Sequence, residues 1–208
     1  MAHIHLEDGS IPLEWALAWA LAAAFIVLLC LFWLRNVRRA DSRLIVLASM
    51  LTAATFAVFQ FEIPPFGVHL SLTPLIGILA GPAMGGLIVL IVNFFSAGIG
   101  HEGWTIIGPN FIINLSEVVT AFLVYRGLNR VTMLDIRYRA GIAAFTGLFA
   151  GNVIMVAVIL ISGIQGAAVA LPSLSIIILA NLIMGLIEAF VTAYIVAYIS
   201  KVRPDMLG

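Results

Sequence analysis

Long hydrophobic blocks alternate with short polar segments along the chain. The blocks lie at 12–34, 43–61, 72–97, 106–126, 139–162 and 172–200. Each block can supply the about 20 apolar residues that a membrane-spanning α-helix needs. The pattern therefore predicts an all-α integral membrane protein whose helices are joined by short loops.

The third block contains residues that interrupt a helix. Pro74 lies near its start and Gly81-Pro82 near its middle, and Gly85 and Gly86 follow. Proline lacks a backbone donor and keeps the preceding residue out of the helical region. The block is therefore one kinked helix or two helices, a short one near 69–80 and a longer one near 82–97.

The basic residues favour two helices. The ten lysines and arginines form three clusters, at 35–43, 126–139 and 201–203. Cytoplasmic loops collect basic residues, and an extra crossing within 72–97 puts all three clusters on one side. We therefore predict a single domain, 1–208, built as a bundle of seven membrane segments. The third is short, the N-terminus is outside and the C-terminus is cytoplasmic.

Composition agrees with this fold and excludes several functions. The chain is 63% hydrophobic and 10% charged, and its mean hydropathy is +1.17. A net charge of zero leaves no basic field for a nucleic acid. Lys201 is the sole lysine, so the chain has no P-loop and carries no ATPase of its own. Cys30 is the sole cysteine, which excludes an internal disulfide and a cysteine-rich zinc site. Acidic Glu7 and Asp8, with no basic residue before them, are the reverse of a signal-peptide start.

All four histidines fall on the predicted outer side. Imidazole is a common ligand for nickel, copper, zinc and iron. His3 precedes the first helix, and His69 lies in the turn before the third block. We assign metal-binding roles to these two. His5 also precedes the first helix, and His101 lies in a flexible glycine-rich loop; we expect both side chains to be solvated.

The first three residues, Met1-Ala2-His3, can chelate one ion. The terminal amine, the amides of Ala2 and His3, and the His3 imidazole offer four nitrogens in a plane, a geometry typical of Ni(II) or Cu(II). If Met1 is removed, the tail offers three nitrogens and leaves one corner of the plane empty. His69 is then the candidate to fill it.

The chain resembles a known family of membrane proteins. It has a histidine near its start, an outer turn at 66–70 reading Phe-Gly-Val-His-Leu, a Gly81-Pro82 break, and a glycine-rich loop leading to Gly108-Pro109-Asn110. These features resemble the substrate-binding membrane component of energy-coupling-factor transporters for nickel or cobalt, the NikM and CbiM family. Members usually begin Met-His, whereas this chain begins Met-Ala-His.

The resemblance implies a function, a set of metal ligands and partners. The implied ligands are the terminal amine, the next amide, the imidazole of that residue and the outer-turn imidazole. Carried over, they involve Met1, Ala2, His3 and His69. The implied function is capture of Ni(II), or of Co(II), at the outer face of the cell membrane. A transmembrane coupling subunit and ATPase subunits would then drive import.

Two other functions are weighed against transport. A polytopic membrane enzyme, such as a metal-dependent hydrolase, is disfavoured because neither His-Glu-x-x-His nor Gly-x-Ser-x-Gly occurs. A structural or channel-like protein would require all the outer histidines to be incidental.

The remaining polar and small residues have structural and functional interpretations. We expect hydrogen bonds between helices from the intramembrane Asn93, Asn110, Asn114, Glu117, Asn152, Asn181 and Glu188. The alternative is support of the metal site or a proton path, and Asn110 is the residue that most favours a functional role. The glycine-rich loop before it is either a lid or an ordinary connection. Small residues repeat every four positions at Ala16, Ala20, Ala24 and at Ser49, Ala53, Ala57, as in helices that pack closely. We expect internal packing for the first set and keep a partner surface open for the second.

Overall fold

The computed structural model describes residues 8–37, 41–61, 69–131, 133–163 and 171–207, with side chains from 178 onward in the last range. Within these ranges the chain forms six α-helices long and apolar enough to cross a membrane. They are α1 (Leu13–Asn36), α2 (Ser42–Phe59), α3 (Thr73–Gly98), α4 (Ile107–Val131), α5 (Ile136–Ser162) and α6 (Leu171–Val202), followed by a short 3₁₀ helix, Pro204–Leu207. The predicted all-helical membrane fold is confirmed, and each hydrophobic block contains one of these helices.

The predicted break in the third block is confirmed at Gly81. This residue has φ 77° and ψ 176°, which is outside the helical region and accessible mainly to glycine. A Cβ atom built on Gly85 would lie 3.1 Å from Cγ2 of Ile76. Residues nine positions apart in a straight helix are separated by about 13 Å along its axis. The two halves of α3 therefore fold back on each other as a helical hairpin.

The two ends of this hairpin meet on one side of the bundle. The rings of His69, just before α3, and His101, just after it, have centroids 5.4 Å apart. At the opposite end, Gly81 and Pro82 line a cavity together with Trp33 and Leu44. The end of α1 and the start of α2 therefore lie beside the bend of the hairpin, and the two histidines lie at the other end of the bundle.

Three basic segments gather at the end that holds the bend. Ile78, just before the bend, shares a cavity of about 250 Å³ with Arg126, Arg130 and Leu207. The exposed Asp205 pairs with Arg203 at 2.9 Å. The pKa of Asp205 lies below its ordinary value because of this hydrogen bond and because of the nearby charge of Arg43. Arg38 and Arg39 lie outside the described residues.

Helices α3 and α4 form the centre of the bundle, and glycines allow their close approach. Gly77 lies against the backbone carbonyl of Val118, and a Cβ atom on Gly85 would lie 2.6 Å from Cγ1 of the same valine. Both halves of the hairpin thus pack on one residue of α4. Close backbone contact of this kind is how small residues stabilise membrane helices.

The first repeat of small residues packs internally over only part of its length, because Ala20 and Ala24 are exposed. Ala16 is buried, and a Cβ atom on Gly108 of α4 would lie 2.6 Å from Cα of Ala20. In the second repeat, Ser49, Ala53 and Ala57 are exposed along α2. The described residues therefore leave this face of α2 uncovered.

Candidate metal site

His69 is buried at the end of the bundle where the hairpin begins and ends. Its exposed fraction is 0%, and its ring centroid lies 4.2 Å from that of Phe59 at the end of α2. His69 thus lies in the bundle and not on a solvated loop. The ring packs against Phe59 at the end of α2 and against His101 at the start of the α3–α4 loop.

His101 differs from the sequence-based expectation of a solvated side chain. It is only partly exposed, its Nε2 atom is shielded from solvent, and its ring contacts both His69 and Phe59. The expectation was wrong because it treated the loop after α3 as independent of the turn before it. Because α3 folds back at Gly81, its second half ends on the side of the bundle where its first half begins, and the two histidines meet there.

The predicted tail ligands Met1, Ala2 and His3 lie outside the described residues, and so does His5. The described N-terminal segment begins at Asp8, whose carboxylate accepts hydrogen bonds from the backbone N–H of Thr105 at 2.8 Å and that of Trp104 at 3.2 Å. The Thr105 hydroxyl donates a third, at 2.6 Å. A Cβ atom on Gly103 would lie 2.7 Å from the Asp8 nitrogen. Asp8 therefore fixes the start of the described chain to the α3–α4 loop, two to four residues beyond His101.

Asp8→Ala should destabilise the protein at neutral pH. The Thr105 hydroxyl, then the backbone N–H groups, hold the pKa of Asp8 below its ordinary 3.8. A depressed pKa means that the stabilisation is present above pH 3.8 and is lost as the pH falls through the lower folded-state pKa. The side chain is exposed, so we expect a loss of about 1 kcal/mol or less. Thermal unfolding of parent and variant should differ at pH 7 and converge in acid; a difference that persists in acid would contradict this assignment.

A chain of four polar side chains fixes the turn that carries His69. Glu188 of α6 accepts hydrogen bonds from the backbone N–H and the hydroxyl of Ser71, both at 2.9 Å. The Ser71 hydroxyl lies 3.0 Å from that of Thr73, which donates to Glu117 of α4. All four residues are buried. The sequence analysis selected both glutamates but missed Ser71 and Thr73, although two hydroxyl residues at the start of an apolar block were a usable signal.

The intramembrane asparagines mostly bond between helices, as predicted. Asn114 of α4 pairs with Asn93 of α3 at 3.1 Å, and Asn181 of α6 donates to Asn152 of α5 at 2.9 Å. Asn110 differs, because it is fully buried and its amide makes no hydrogen bond to any described residue. These two asparagine pairs therefore have the expected structural role of joining neighbouring helices.

The described residues alone do not complete a metal site. Among them, no group of three or more histidine, cysteine or acidic side chains is placed to hold one ion. They do supply two adjacent imidazoles at the end of the bundle, His69 and His101. Any further ligands must come from elsewhere in the chain, from water or from a partner.

Comparison with known proteins identifies the family. Residues 5–206 match the family model CbiM, described as the cobalt uptake substrate-specific transmembrane region. "Putative cobalt transport protein CbiM 1" of Methanocorpusculum labreanum is 24% identical over 216 residues, which cover 98% of this chain and 92% of that protein. "Cobalt transport protein CbiM" of Thermosynechococcus vestitus is 31% identical over 157 residues, which cover 72% of this chain and 58% of that protein.

A solved structure shares the fold. The crystal structure of a transition metal transporter superposes with a TM-score of 0.80 at 19% identity, covering 96% of this chain and 93% of that one. The match spans all six helices described above, and the family model likewise extends over nearly the whole sequence. The chain is therefore a multi-pass membrane protein that belongs to the CbiM family of cobalt uptake transmembrane regions.

Proposed function

We propose that this protein captures Ni(II), or Co(II), at the outer face of the membrane and delivers it for import by an energy-coupling-factor transporter. The observation that carries the proposal is the position of His69. It is a fully buried imidazole at the end of the bundle where the N-terminal segment is attached through Asp8. His3 precedes Asp8 by five positions along the chain. An extended chain of that length spans at most about 17 Å, which limits the tail to the neighbourhood of this end.

We propose Met1, Ala2, His3 and His69 as the residues that supply the ligands. With Met1 retained, the amine, two amides and the His3 imidazole complete a plane of four nitrogens. With Met1 removed, the tail supplies three nitrogens and His69 the fourth. The family description names cobalt, and the relatives of M. labreanum and T. vestitus are named as cobalt transport proteins. Planar nitrogen ligation favours Ni(II), which is why we place nickel first.

Metal titration of the detergent-solubilised protein tests the function. We expect an absorption band of planar Ni(II) that disappears in His3→Ala, since that variant loses the tail imidazole. Ni(II) and Cu(II) should bind more tightly than Co(II) and Zn(II), with Cu(II) tightest. Amide nitrogens must lose protons to bind, so affinity should fall steeply as the pH is lowered.

The same titration can reject the proposal. Equal affinities for Zn(II) and Ni(II) would exclude a planar site, and so would binding that does not change between about pH 5 and 8. His5→Ala is the matched control, because it removes a histidine from the same tail without removing a proposed ligand. A band that survives in His3→Ala and is lost in His5→Ala would reject the ligand assignment.

We also propose that the hairpin halves are two of seven membrane segments, with the histidine end outside and the basic end in the cytoplasm. Two observations support this. The ends of α3 lie together, and the bend lies with the arginines at the opposite end. Basic residues favour the cytoplasmic side.

Cysteine labelling tests this orientation. In a Cys30→Ser background, a cysteine at position 130 should resist a membrane-impermeant thiol reagent applied to intact cells. A cysteine at Ile99, which is exposed at the histidine end, should react. Reaction at position 130 from outside would reverse the orientation.

The transport partners we propose are a transmembrane coupling subunit and separate ATPase subunits. The exposed face of Ser49, Ala53 and Ala57 on α2 is our candidate surface for the coupling subunit. Its small side chains permit close approach of another helix. The lone Lys201, far from any glycine-rich loop, leaves ATP hydrolysis to a partner.

A further inference from the structure

His101 lies at the boundary between solvent and the buried end of the bundle. His69 and Phe59 beside it have exposed fractions of 0% and 1%. His101 is partly exposed, while its Nε2 atom is shielded and its ring faces both of them. Of the two imidazoles, it is therefore the one that an ion arriving from solvent can reach first.

The separation of the two rings suits transfer of an ion between them. Two nitrogens bound to one ion lie at most about 4 Å apart, because each metal–nitrogen bond is about 2.0–2.1 Å long. Ring centroids 5.4 Å apart allow nitrogens of both rings to come within that distance. The separation of the rings therefore permits one ion to contact His101 and His69 together.

Backbone hydrogen bonds to the end of α3 hold the loop that carries His101. The backbone N–H of His101 donates to the Ser96 carbonyl at 2.9 Å, and that of Gly100 donates to Ala97 at 3.0 Å. Gly100 has φ 79°, and a Cβ atom there would lie more than 4 Å from the described residues around it. The backbone hydrogen bonds therefore anchor His101 next to His69, and among the described residues the space beside Gly100 is open.

Electrostatics at this end favours an arriving cation. The exposed Asp8 lies at the rim, whereas Glu102, which follows His101, is buried. The basic segments that contain Arg43, Arg126 and Arg203 lie at the opposite end. Acidic groups on one face with the basic groups remote from it raise the local cation concentration and the association rate.

We infer that His101 is the first protein ligand of the incoming ion, and that it transfers the ion to the buried site beside His69. His101 binds the ion during its passage from solvent and then releases it to the final ligands. The inference rests on the proposed metal capture and adds a residue to its path. It concerns the site that His69 completes, in which the tail supplies three nitrogens, and it is therefore tested in the Ala2-deleted chain.

A ligand used only in passage has a kinetic signature. It lowers the barrier between free and bound ion, and the same barrier is crossed in both directions. Removing it therefore slows association and dissociation by the same factor and leaves Kd unchanged. A ligand of the final site behaves differently, since its loss raises Kd.

The experiment measures Ni(II) association and dissociation by stopped flow in the Ala2-deleted full-length protein, where His69 has to supply the fourth nitrogen. His101→Phe keeps a ring against Phe59 and His69 and removes both nitrogens. His101→Gln serves as a second variant if the larger ring disturbs the fold. Ile99→Ala is the control for a general change in this loop. We expect both His101 variants to slow both rates by roughly tenfold at unchanged Kd, and Ile99→Ala to match the parent.

The outcomes separate this inference from the proposed function. Unchanged rates in His101→Phe and His101→Gln overturn the inference, and so does a rise in Kd as large as the change in rate. If His3→Ala binds Ni(II) as tightly as the parent, the proposed function fails. The rates of the His101 variants would still decide whether His101 contacts the ion.

Discussion

His69→Ala should barely weaken Ni(II) binding in the chain as written and should weaken it strongly once Ala2 is deleted. With Met1 retained, Met1, Ala2 and His3 supply all four nitrogens. Deletion of Ala2 leaves three, and His69 has to supply the fourth. Loss of a direct ligand should then cost more than the about 10–100-fold that loss of an outer partner of a metal ligand costs.

The comparison needs four proteins and one measurement. Ni(II) affinity is determined for the parent, His69→Ala, the Ala2 deletion and the double variant, with mass spectrometry to establish whether Met1 is present. The fold of each is compared by thermal unfolding, because His69 is fully buried and its removal leaves a cavity. If His69→Ala abolishes binding in the parent with Met1 intact, His69 is a primary ligand despite Ala2.

The sequence allowed the helices and the hairpin break to be predicted because both depend on local properties. Six apolar blocks correspond to six helices. Gly81-Pro82 marked the break because proline restricts the residue before it and glycine can adopt a positive φ. The burial of His69 and its contacts could not be predicted in this way, because they depend on which elements pack around the turn.

His101 and Ser71 show where local reasoning fails. His101 is surrounded by glycines in sequence and was expected to be solvated, but it contacts His69 because the hairpin closes between them. Ser71 is 117 residues from Glu188 along the chain, so no spacing rule connects them. Both contacts depend on how whole helices pack together, which cannot be read from the residue pattern of a single helix.

Glu188, which lies in the last membrane helix, holds in place the turn that contains His69. Its two oxygens accept from the backbone N–H and the hydroxyl of Ser71, two residues after His69. Leu72 lies between Ser71 and the start of α3, and its φ of 56° is unusual for a residue other than glycine. A conformation of this kind persists where surrounding contacts enforce it. Glu188 provides two of those contacts at Ser71.

Glu188→Leu should therefore both destabilise the protein and weaken metal binding that uses His69. The variant leaves two buried donors of Ser71 without this acceptor, at about 1–3 kcal/mol for each. Glu188→Gln should cost less, because its carbonyl can accept from the N–H while its amide donates to the hydroxyl oxygen. Ser71→Ala is the matched control, since it removes the hydroxyl and keeps the backbone bond.

Thermal unfolding and Ni(II) titration in the Ala2-deleted chain measure the two effects separately. We expect Glu188→Leu to unfold at the lowest temperature and to lose about 10–100-fold in affinity, as when an outer partner of a metal ligand is lost. Ser71→Ala and Glu188→Gln should lie between it and the parent. If Glu188→Leu unfolds like the parent, the hydrogen bonds to Ser71 do not hold the turn. If it is destabilised but binds Ni(II) with unchanged affinity, the turn does not position His69 for the ion.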